Sequence, residues 1–458
     1  MSAQTIGRLG LLWVVCLALI LFAGCDQEPN GNQDMKPAPA APPSSQPDLL
    51  PPPDIQDPSA PDTRDLLTYS TEATLVAVGD IMMHSPQIPA GYNPATDTYN
   101  FDHFFAEIDD LLLQGDWVYG NLETPLAGKA SGYAGYPRFN APDELADALH
   151  KAGFDVLSTA NNHSLDQGKH GVLQTLETLS ERGLTAVGTY ASSQAQQDIP
   201  ILSRHDIHMA FLAYTYGTNG LPEPSGHAYL VNEIDRTQIQ ADLTRARAQG
   251  ADLITIALHF GREYIREPSA SQRELAAYCI AAGADIVLGS HPHVVQPYEQ
   301  LTVQTPDGST RSGFVIYSLG NFISNQGPAQ KTAKYTDVGV VLKLSVRKTF
   351  PEQKIEITAV ESIPTWVHQY RQNGKRQYRV LPIAKFQNAA LDSRLTSQER
   401  ELMSAYLDEM KTHVSSYQPA FDPISVTAPL SSWRAEAEAT ADGEAEKPAS
   451  VIDDVYRP

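Results

Sequence analysis

The sequence predicts a mixed α/β domain over about residues 72–385, and two patterns carry that prediction. Short apolar and β-branched runs read as buried strands: Thr74-Leu75-Val76-Ala77-Val78, Asp155-Val156-Leu157, Leu253-Ile254-Thr255-Ile256-Ala257-Leu258, Asp285-Ile286-Val287-Leu288 and Phe314-Val315-Ile316-Tyr317. Between them, segments near 103–114, 142–152, 170–182, 237–249 and 270–282 have helical apolar spacing and are followed by Gly115, Gly153, Gly183, Gly250 and Gly283. Glycine suits the residue after a helix because a left-handed backbone there carries no side-chain penalty. Alternation of the two element types along one chain is the pattern of an α/β architecture.

The regions around this domain read differently. Arg8 precedes an apolar run from Leu9 to Phe22 that ends in Leu21-Phe22-Ala23-Gly24-Cys25. The run is too short to span a bilayer comfortably, and small residues before a cysteine resemble the lipobox of exported bacterial lipoproteins. On that reading residues 1–24 are a signal peptide and Cys25 is lipidated, anchoring the protein to a membrane on the side facing away from the cytoplasm. The alternative is an uncleaved anchor. Asp26 resembles the inner-membrane retention signal of some Gram-negative lipoproteins. Residues 25–71, rich in Pro, Ala, Gln, Ser and Asp, read as an extended tether. After Phe322, Val338-Gly339-Val340-Val341-Leu342-Lys343-Leu344-Ser345-Val346 and Lys354-Ile355-Glu356-Ile357-Thr358-Ala359-Val360 look like antiparallel strands able to close a second sheet. A helical extension covers 386–434, with an amphipathic helix from about Ser397 to His413 packing on the outside, and 435–458 reads as an acidic disordered tail.

Composition removes some function classes. The formal charge of -21 argues against nucleic-acid binding, which needs concentrated Lys and Arg. Of three cysteines, Cys16 and Cys25 fall in the export segment, so Cys279 is left without an internal partner; among apolar neighbours at helical spacing it reads as a small core residue.

Polar clusters follow nearly every predicted strand: Gly79-Asp80, Gly120-Asn121-Leu122-Glu123, Asn161-Asn162-His163, His259-Phe260-Gly261-Arg262-Glu263, Gly289-Ser290-His291-Pro292-His293 and Gly320-Asn321. In an open α/β sheet the loops at the carboxyl ends of the strands converge on one crevice. Asp, Glu, Asn and His are donors suited to Mn, Fe, Zn or Co, and two such ions about 3.5–4 Å apart can clamp a phosphoryl group. His291-Pro292-His293 is the sharpest single signal, since proline fixes a turn that can aim two imidazoles. Alone, Asp80 could cap a loop, Asn161-Asn162-His163 could be a hydrogen-bonded turn, and Asp166 could cap the following helix. His84, His170, His205, His208, His227, His368 and His413 read as surface or core residues.

Taken in order, Gly79-Asp80-Ile81-Met82, Gly120-Asn121-Leu122-Glu123, Ala160-Asn161-Asn162-His163-Ser164-Leu165-Asp166-Gln167-Gly168, His259-Phe260-Gly261-Arg262-Glu263-Tyr264, His291-Pro292-His293-Val294-Val295-Gln296 and Tyr317-Ser318-Leu319-Gly320-Asn321-Phe322 resemble the CapA family of capsule and poly-γ-glutamate synthesis proteins, over roughly residues 73–325. That family is similar in turn to calcineurin-like metallophosphoesterases, which implies a four-layer α/β/β/α sandwich. The resemblance implies Asp80, Glu123, Asn162, His259, His291 and His293 as ligands of divalent metal ions, two in number, with Glu123 bridging. It implies His163 as general acid, and Glu263, Arg262 and Asn321 as residues that orient substrate or a ligand. Two departures stand out: Met82 occupies the place where metallophosphoesterases carry a histidine, with His84 two residues later, and Glu123 stands where they carry Asp. The function implied is metal-dependent hydrolysis or transfer in capsule, poly-γ-glutamate or related cell-envelope polymer metabolism, with a surface polymer or its synthesis machinery as partner. The alternative is a non-catalytic polymer-binding accessory lipoprotein. A transporter's substrate-binding lipoprotein is disfavoured by the dense His, Asn and Glu set.

Overall fold

The computed structural model describes residues 68–386, 392–418 and 420–425. The apolar run with Cys25, residues 25–67 of the expected tether and the expected acidic tail lie outside the described residues, whereas Tyr69, Ser70 and Thr71, expected to end the tether, begin the strand Tyr69–Ile81.

Among the described residues two large sheets form. The first runs Lys375–Pro382, Lys354–Gln372, Val338–Phe350, Tyr69–Ile81, Trp117–Leu122, Val156–Ser158 and Thr185–Val187, with Asn321–Ile323 and Ile424–Ser425 attached at its margins. The second runs Val295–Gln304, Thr310–Leu319, Ile286–Ser290, Leu253–His259, Ile207–Thr215 and Ile201–Arg204. Each has a parallel centre: Tyr69–Ile81 through Thr185–Val187 in the first, and Ile207–Thr215, Leu253–His259, Ile286–Ser290 and Thr310–Leu319 in the second.

Side chains alternate between the faces of a strand, so each sheet has an inner and an outer apolar surface. Leu75, Ala77, Trp117, Tyr119, Leu342 and Leu344 of the first sheet pack against Met209, Phe211, Leu253, Ala257, Ile286, Phe314 and Ile316 of the second. Val76, Val78 and Val118 face outwards onto Phe104, Leu112, Leu145 and Leu149. On the far side Ile254, Ile256, Val287 and Val315 meet Ile239 and Leu243 of the helix Arg236–Ala248 and Leu275, Ala276 and Ile280 of Ala270–Ala281. The result is the four-layer α/β/β/α sandwich. Cys279 is buried within that last layer, as expected of a core thiol.

Three local expectations change. The antiparallel strands after residue 338 build no second sheet; they extend the first, with Val338–Phe350 pairing along Tyr69–Ile81 from Tyr69↔Phe350 to Ala77↔Leu342. A 13-residue strand with one unpaired edge would leave its backbone groups unsatisfied, and this pairing covers them. The segment 103–114 forms two short helices, Asp102–Phe105 and Asp109–Leu112, because Ile108 N–H bonds Phe105 O and Leu111 N–H bonds Ile108 O in tight turns. Gly153, Gly183, Gly250 and Gly283 take positive φ as helix stops, whereas Gly115 does not; a Cβ there would meet Val76 and Val118 at 2.9 Å, so close packing requires it.

The helix Ser397–Val414 starts with a Thr396/Glu399 capping box. Its Met403, Tyr406, Leu407, Met410 and Val414 join the inter-sheet core, and it touches both Val295–Gln304 and Lys354–Gln372.

Beneath the second sheet, Asp285 is fully buried, ion-paired to both Arg247 and Arg311, and accepts the Ile254 N–H at 2.7 Å. Removing one member of such a set strands the others without a partner. Asp285→Ala is expected to cost about 3–5 kcal/mol of unfolding free energy in urea titration, whereas Arg347→Ala, which breaks only the exposed pair with Glu72, should cost about 0–1 kcal/mol.

Candidate metal centre

Parallel strands end at one rim of each sheet, and the sandwich brings the two rims together. Asp80 is the penultimate residue of Tyr69–Ile81, Glu123 follows Trp117–Leu122, His259 closes Leu253–His259, and His291 and His293 follow Ile286–Ser290. All five are buried. Gly79 makes the first placement possible: a Cβ there would sit 1.9 Å from Gly320 O, the carbonyl that accepts the Asp80 N–H at 2.9 Å.

The convergence is tight. His293 Nδ1 lies 3.1 Å from Asp80 Oδ2 and 3.1 Å from Asn321 Oδ1, and its Nε2 is 3.7 Å from Glu123 Oε1. His259 Nε2 is 2.8 Å from Asn162 Oδ1 and 3.6 Å from Glu123 Oε1, while its Nδ1 meets Ser290 Oγ at 2.9 Å. Glu123 Oε1 thus faces two imidazoles without a hydrogen bond, and His291 Nδ1 is likewise buried with no partner. Buried polar atoms without partners are costly. A cation would satisfy such atoms, and three trios have donor atoms close enough to share an ion: Asp80, Glu123 and His293; Glu123, His259 and His291; Glu263, His291 and His293. The donor set is mixed oxygen and imidazole nitrogen, which fits first-row divalent metals.

The backbone is strained where ligands are aimed. His291 and His293 have φ of 96° and 56°, left-handed values that non-glycine residues rarely adopt. Pro292 between them accepts the Tyr264 N–H at 2.8 Å, which locks the turn.

Titration follows burial. Burial pushes the Glu123 carboxyl well above its usual range, reinforced by the nearby Asp80 and Glu263 charges. Burial holds His259 and His291 well below the usual imidazole value, helped by neighbouring histidines. For His293 burial works in the same direction, yet the hydrogen bond and charge of Asp80 outweigh it, so its pKa is raised.

The Asn161-Asn162-His163 segment is a hydrogen-bonded turn and also delivers site residues. Asn161 Oδ1 accepts the His163 N–H at 3.1 Å, Asn162 reaches His259, and His163 Nδ1 meets Asp166 Oδ2 at 2.8 Å. Asp166 therefore does not cap the helix Gly168–Glu181, which has no side-chain cap; it orients His163 and accepts the Phe139 N–H at 2.7 Å. His163 lines a cavity of about 310 Å³ together with Met82, His84, Tyr136, Glu263, Tyr264 and His293. Arg262 is exposed and does not line it. Asn321 is fully buried, its amide donating to Thr336 O at 2.8 Å and its oxygen facing His293.

Sequence reasoning passed over four contributors. Asn121 Nδ2 donates to Asp80 Oδ1 at 2.8 Å and sits 3.4 Å from Glu123 Oε2, bridging the two carboxylates. Tyr216 packs on His291 at 4.6 Å and Tyr264 on His293 at 6.1 Å. His84, set aside as surface or core, lines the cavity. Asn121 was visible as part of a post-strand polar cluster and Tyr264 as the end of the motif that starts at His259; Tyr216 carried no such signal.

A two-sheet α/β sandwich whose parallel strands bring buried carboxylates and imidazoles to one point is, as a class, a domain with a candidate metal centre. A family model described as bacterial capsule synthesis protein PGA_cap matches residues 74–326, and the chain belongs to that family. It is similar to the capsule biosynthesis protein CapA of Bacillus anthracis, 31% identical over 264 residues, covering 56% of this chain and 60% of the relative. It is also similar to the PGA biosynthesis protein CapA of Bacillus subtilis (strain 168), 29% identical over 277 residues, covering 58% of this chain and 67% of the relative. Among solved structures it is similar to the NAD nucleotidase NadN of Haemophilus influenzae, with a TM-score of 0.39, 14% identity and coverage of 76% and 57%. The calcineurin-like phosphoesterase YfkN of Bacillus subtilis gives a TM-score of 0.35, 12% identity and coverage of 77% and 100%.

The shifts set opposing pH dependences. Between 4.5 and its raised folded value, Glu123 in the native state holds a proton that the unfolded chain has lost, so its contribution to stability falls as pH rises. His259 and His291 work the other way: the unfolded chain takes up protons near 6.5 that the native state refuses, so stability falls on acidification. In chelator-treated protein at about pH 8, Glu123→Gln is expected to raise the melting temperature by several degrees, and in protein not exposed to chelator it should reduce metal content. A lower melting temperature would mean that Glu123 is ionised and satisfied without a cation.

Proposed function

We propose that this member of the capsule synthesis family is a metal-dependent hydrolase or transferase acting on a phosphoryl, ester or amide linkage in capsule, poly-γ-glutamate or related cell-envelope polymer metabolism. The observation that carries the reading is the orphaned, buried Glu123 Oε1 held between His259 and His293. Asp80, Glu123, Asn162, His259, His291 and His293 would hold two divalent cations, with Glu123 shared and Glu263 within reach of the His291 and His293 side. When bound, such cations supply Lewis acidity and positive charge to the reacting linkage.

The chain's own groups then divide the remaining work. His163, with Nδ1 held by Asp166, gives a proton from Nε2 to the departing atom. Phe139, edge-on to the His163 ring at 4.6 Å, keeps that imidazole in place. Asn121 and Asn321 orient the carboxylate pair and His293. On this proposal the protein is exported and lipid-anchored through Cys25, a placement supported by the apolar run before Cys25, with the envelope polymer or its synthesis machinery as partner, which the names of the CapA relatives support.

Elemental analysis of the chain should find near-stoichiometric transition metal, lost in a folded Glu123→Ala, His291→Ala, His293→Ala triple variant. Native protein that stays metal-free after supplementation would overturn hydrolysis in favour of polymer binding. With an active substrate in hand, His163→Asn should lower kcat by about 10²–10⁴-fold while leaving metal content intact. For the anchor, Cys25→Ser should move the protein from the membrane fraction to the soluble fraction; unchanged partitioning would point to an uncleaved anchor.

A further inference from the structure

The turn that follows Tyr69–Ile81 presents a histidine that the catalytic reading leaves unused. His84 N–H donates to Gln87 Oε1 at 2.9 Å, Gln87 Nε2 donates to Met82 O at 3.0 Å, and Gln87 N–H donates to His84 O at 2.8 Å. Gln87 is fully buried, so the turn is clamped from beneath. From the opposite side the backbone N–H of Asn325 donates to His84 Nδ1 at 3.3 Å. A backbone amide can only donate, so Nδ1 is the acceptor and the proton of the neutral ring resides on Nε2.

The ring's surroundings say where that donor serves. The phenyl ring of Phe139 meets His84 edge-on at 5.3 Å and His163 edge-on at 4.6 Å, so one aromatic side chain spaces two imidazoles. Both line the cavity that also holds Glu263 and His293. Among the described residues lining it there is no Lys or Arg, and Met82 brings no donor. With no Lys or Arg there, an oxygen that gains negative charge in this cavity depends on imidazole N–H and O–H groups beside any bound cation, and a donor fixed in advance costs no reorganisation when charge develops.

We propose that His84 is a hydrogen-bond donor to a tetrahedral oxyanion of the substrate, held as its Nε2–H tautomer by Asn325 in the cavity it shares with His163. The assignment rests on the proposed hydrolytic reading for its substrate class. It takes the phosphoryl group, or the tetrahedral intermediate of an ester or amide, as the recognised chemistry.

Two measurements on the metal-supplemented protein test it, with inorganic phosphate as the probe. Ring-nitrogen NMR, assigned by comparison with His84→Gln, should show His84 with Nε2 protonated and Nδ1 bare. Calorimetric titration should show phosphate bound roughly tenfold or more weakly by His84→Ala, as expected for loss of a hydrogen bond to a charged group. His84→Gln, which retains a donor, should recover part of the affinity, and both variants should keep the metal content of the parent. An Nδ1–H resonance, or equal phosphate affinity in the parent and His84→Ala with metal retained, would overturn the donor role of His84 while leaving the proposed function standing. A parent protein that takes up no metal would sink the proposed function instead.

Discussion

Two carboxylates, Asp80 and Glu123, are fully buried in the seam between the sheets and bridged by one amide, Asn121. Burial first, and then the like charge of Asp80, push Glu123 to hold its proton. The imidazoles opposite do not relieve this, because burial keeps His259 and His291 neutral. Only His293, hydrogen-bonded to Asp80, is drawn towards its charged form. The centre therefore stores unmet electrostatic demand for positive charge, and the surrounding fold must be stable enough to hold it.

That support comes from elements far apart in sequence. Parallel strands in both sheets place their polar ends at the same edge, and packing of the inner faces through residues such as Leu75, Tyr119, Phe211 and Ile316 fixes the distance between the rims. The left-handed backbone at His291 and His293 is tolerated because Pro292 and Tyr264 lock the turn and because Ser290 ends a fully buried strand. The C-terminal helix Ser397–Val414 contributes by burying Tyr406 and Met410 in the same core, so residues beyond the family match help to hold the seam.

Much of this was legible because fully buried parallel strands consist of apolar residues along their whole length, so a polar residue at a strand end is conspicuous. Asp80, His259, His291 and His293 stand out by that contrast. Glu123 does not, because the strand Trp117–Leu122 before it was not read from the sequence, and the ligand role of all five was implied by the family resemblance. The strand Ile207–Thr215 was not legible either: His208-Met209-Ala210-Phe211-Leu212-Ala213 carries no β-branched bias and suits a helix as readily. The pairing of Val338–Phe350 with the first sheet was hidden for a different reason, since alternation reveals a strand but not its partner. Asp166 was misjudged because an acidic residue just ahead of a helix is usually a cap, and its pairing with His163 depends on how the intervening turn folds. His84 was invisible as a cavity residue because the tie from Asn325 spans 241 positions.

The turn at 159–166 joins two functions that are separable in most of the molecule. Its backbone is over-determined: Ser164 Oγ bonds Thr159 O, the Asn161 N–H bonds Ser164 Oγ, and Asn161 Nδ2 is tied to Leu122 O beside Glu123. Successive side chains then diverge, Asn162 towards His259 and His163 towards Asp166 and Phe139. A shift of this turn by one residue would exchange those directions, so the ligand position and the proton-donor position cannot be tuned independently. Cation affinity at His259 and the placement of the His163 proton are in this way set by one rigid segment. The tie from Asn161 to Leu122 carries the constraint back to the buried carboxylate at Glu123.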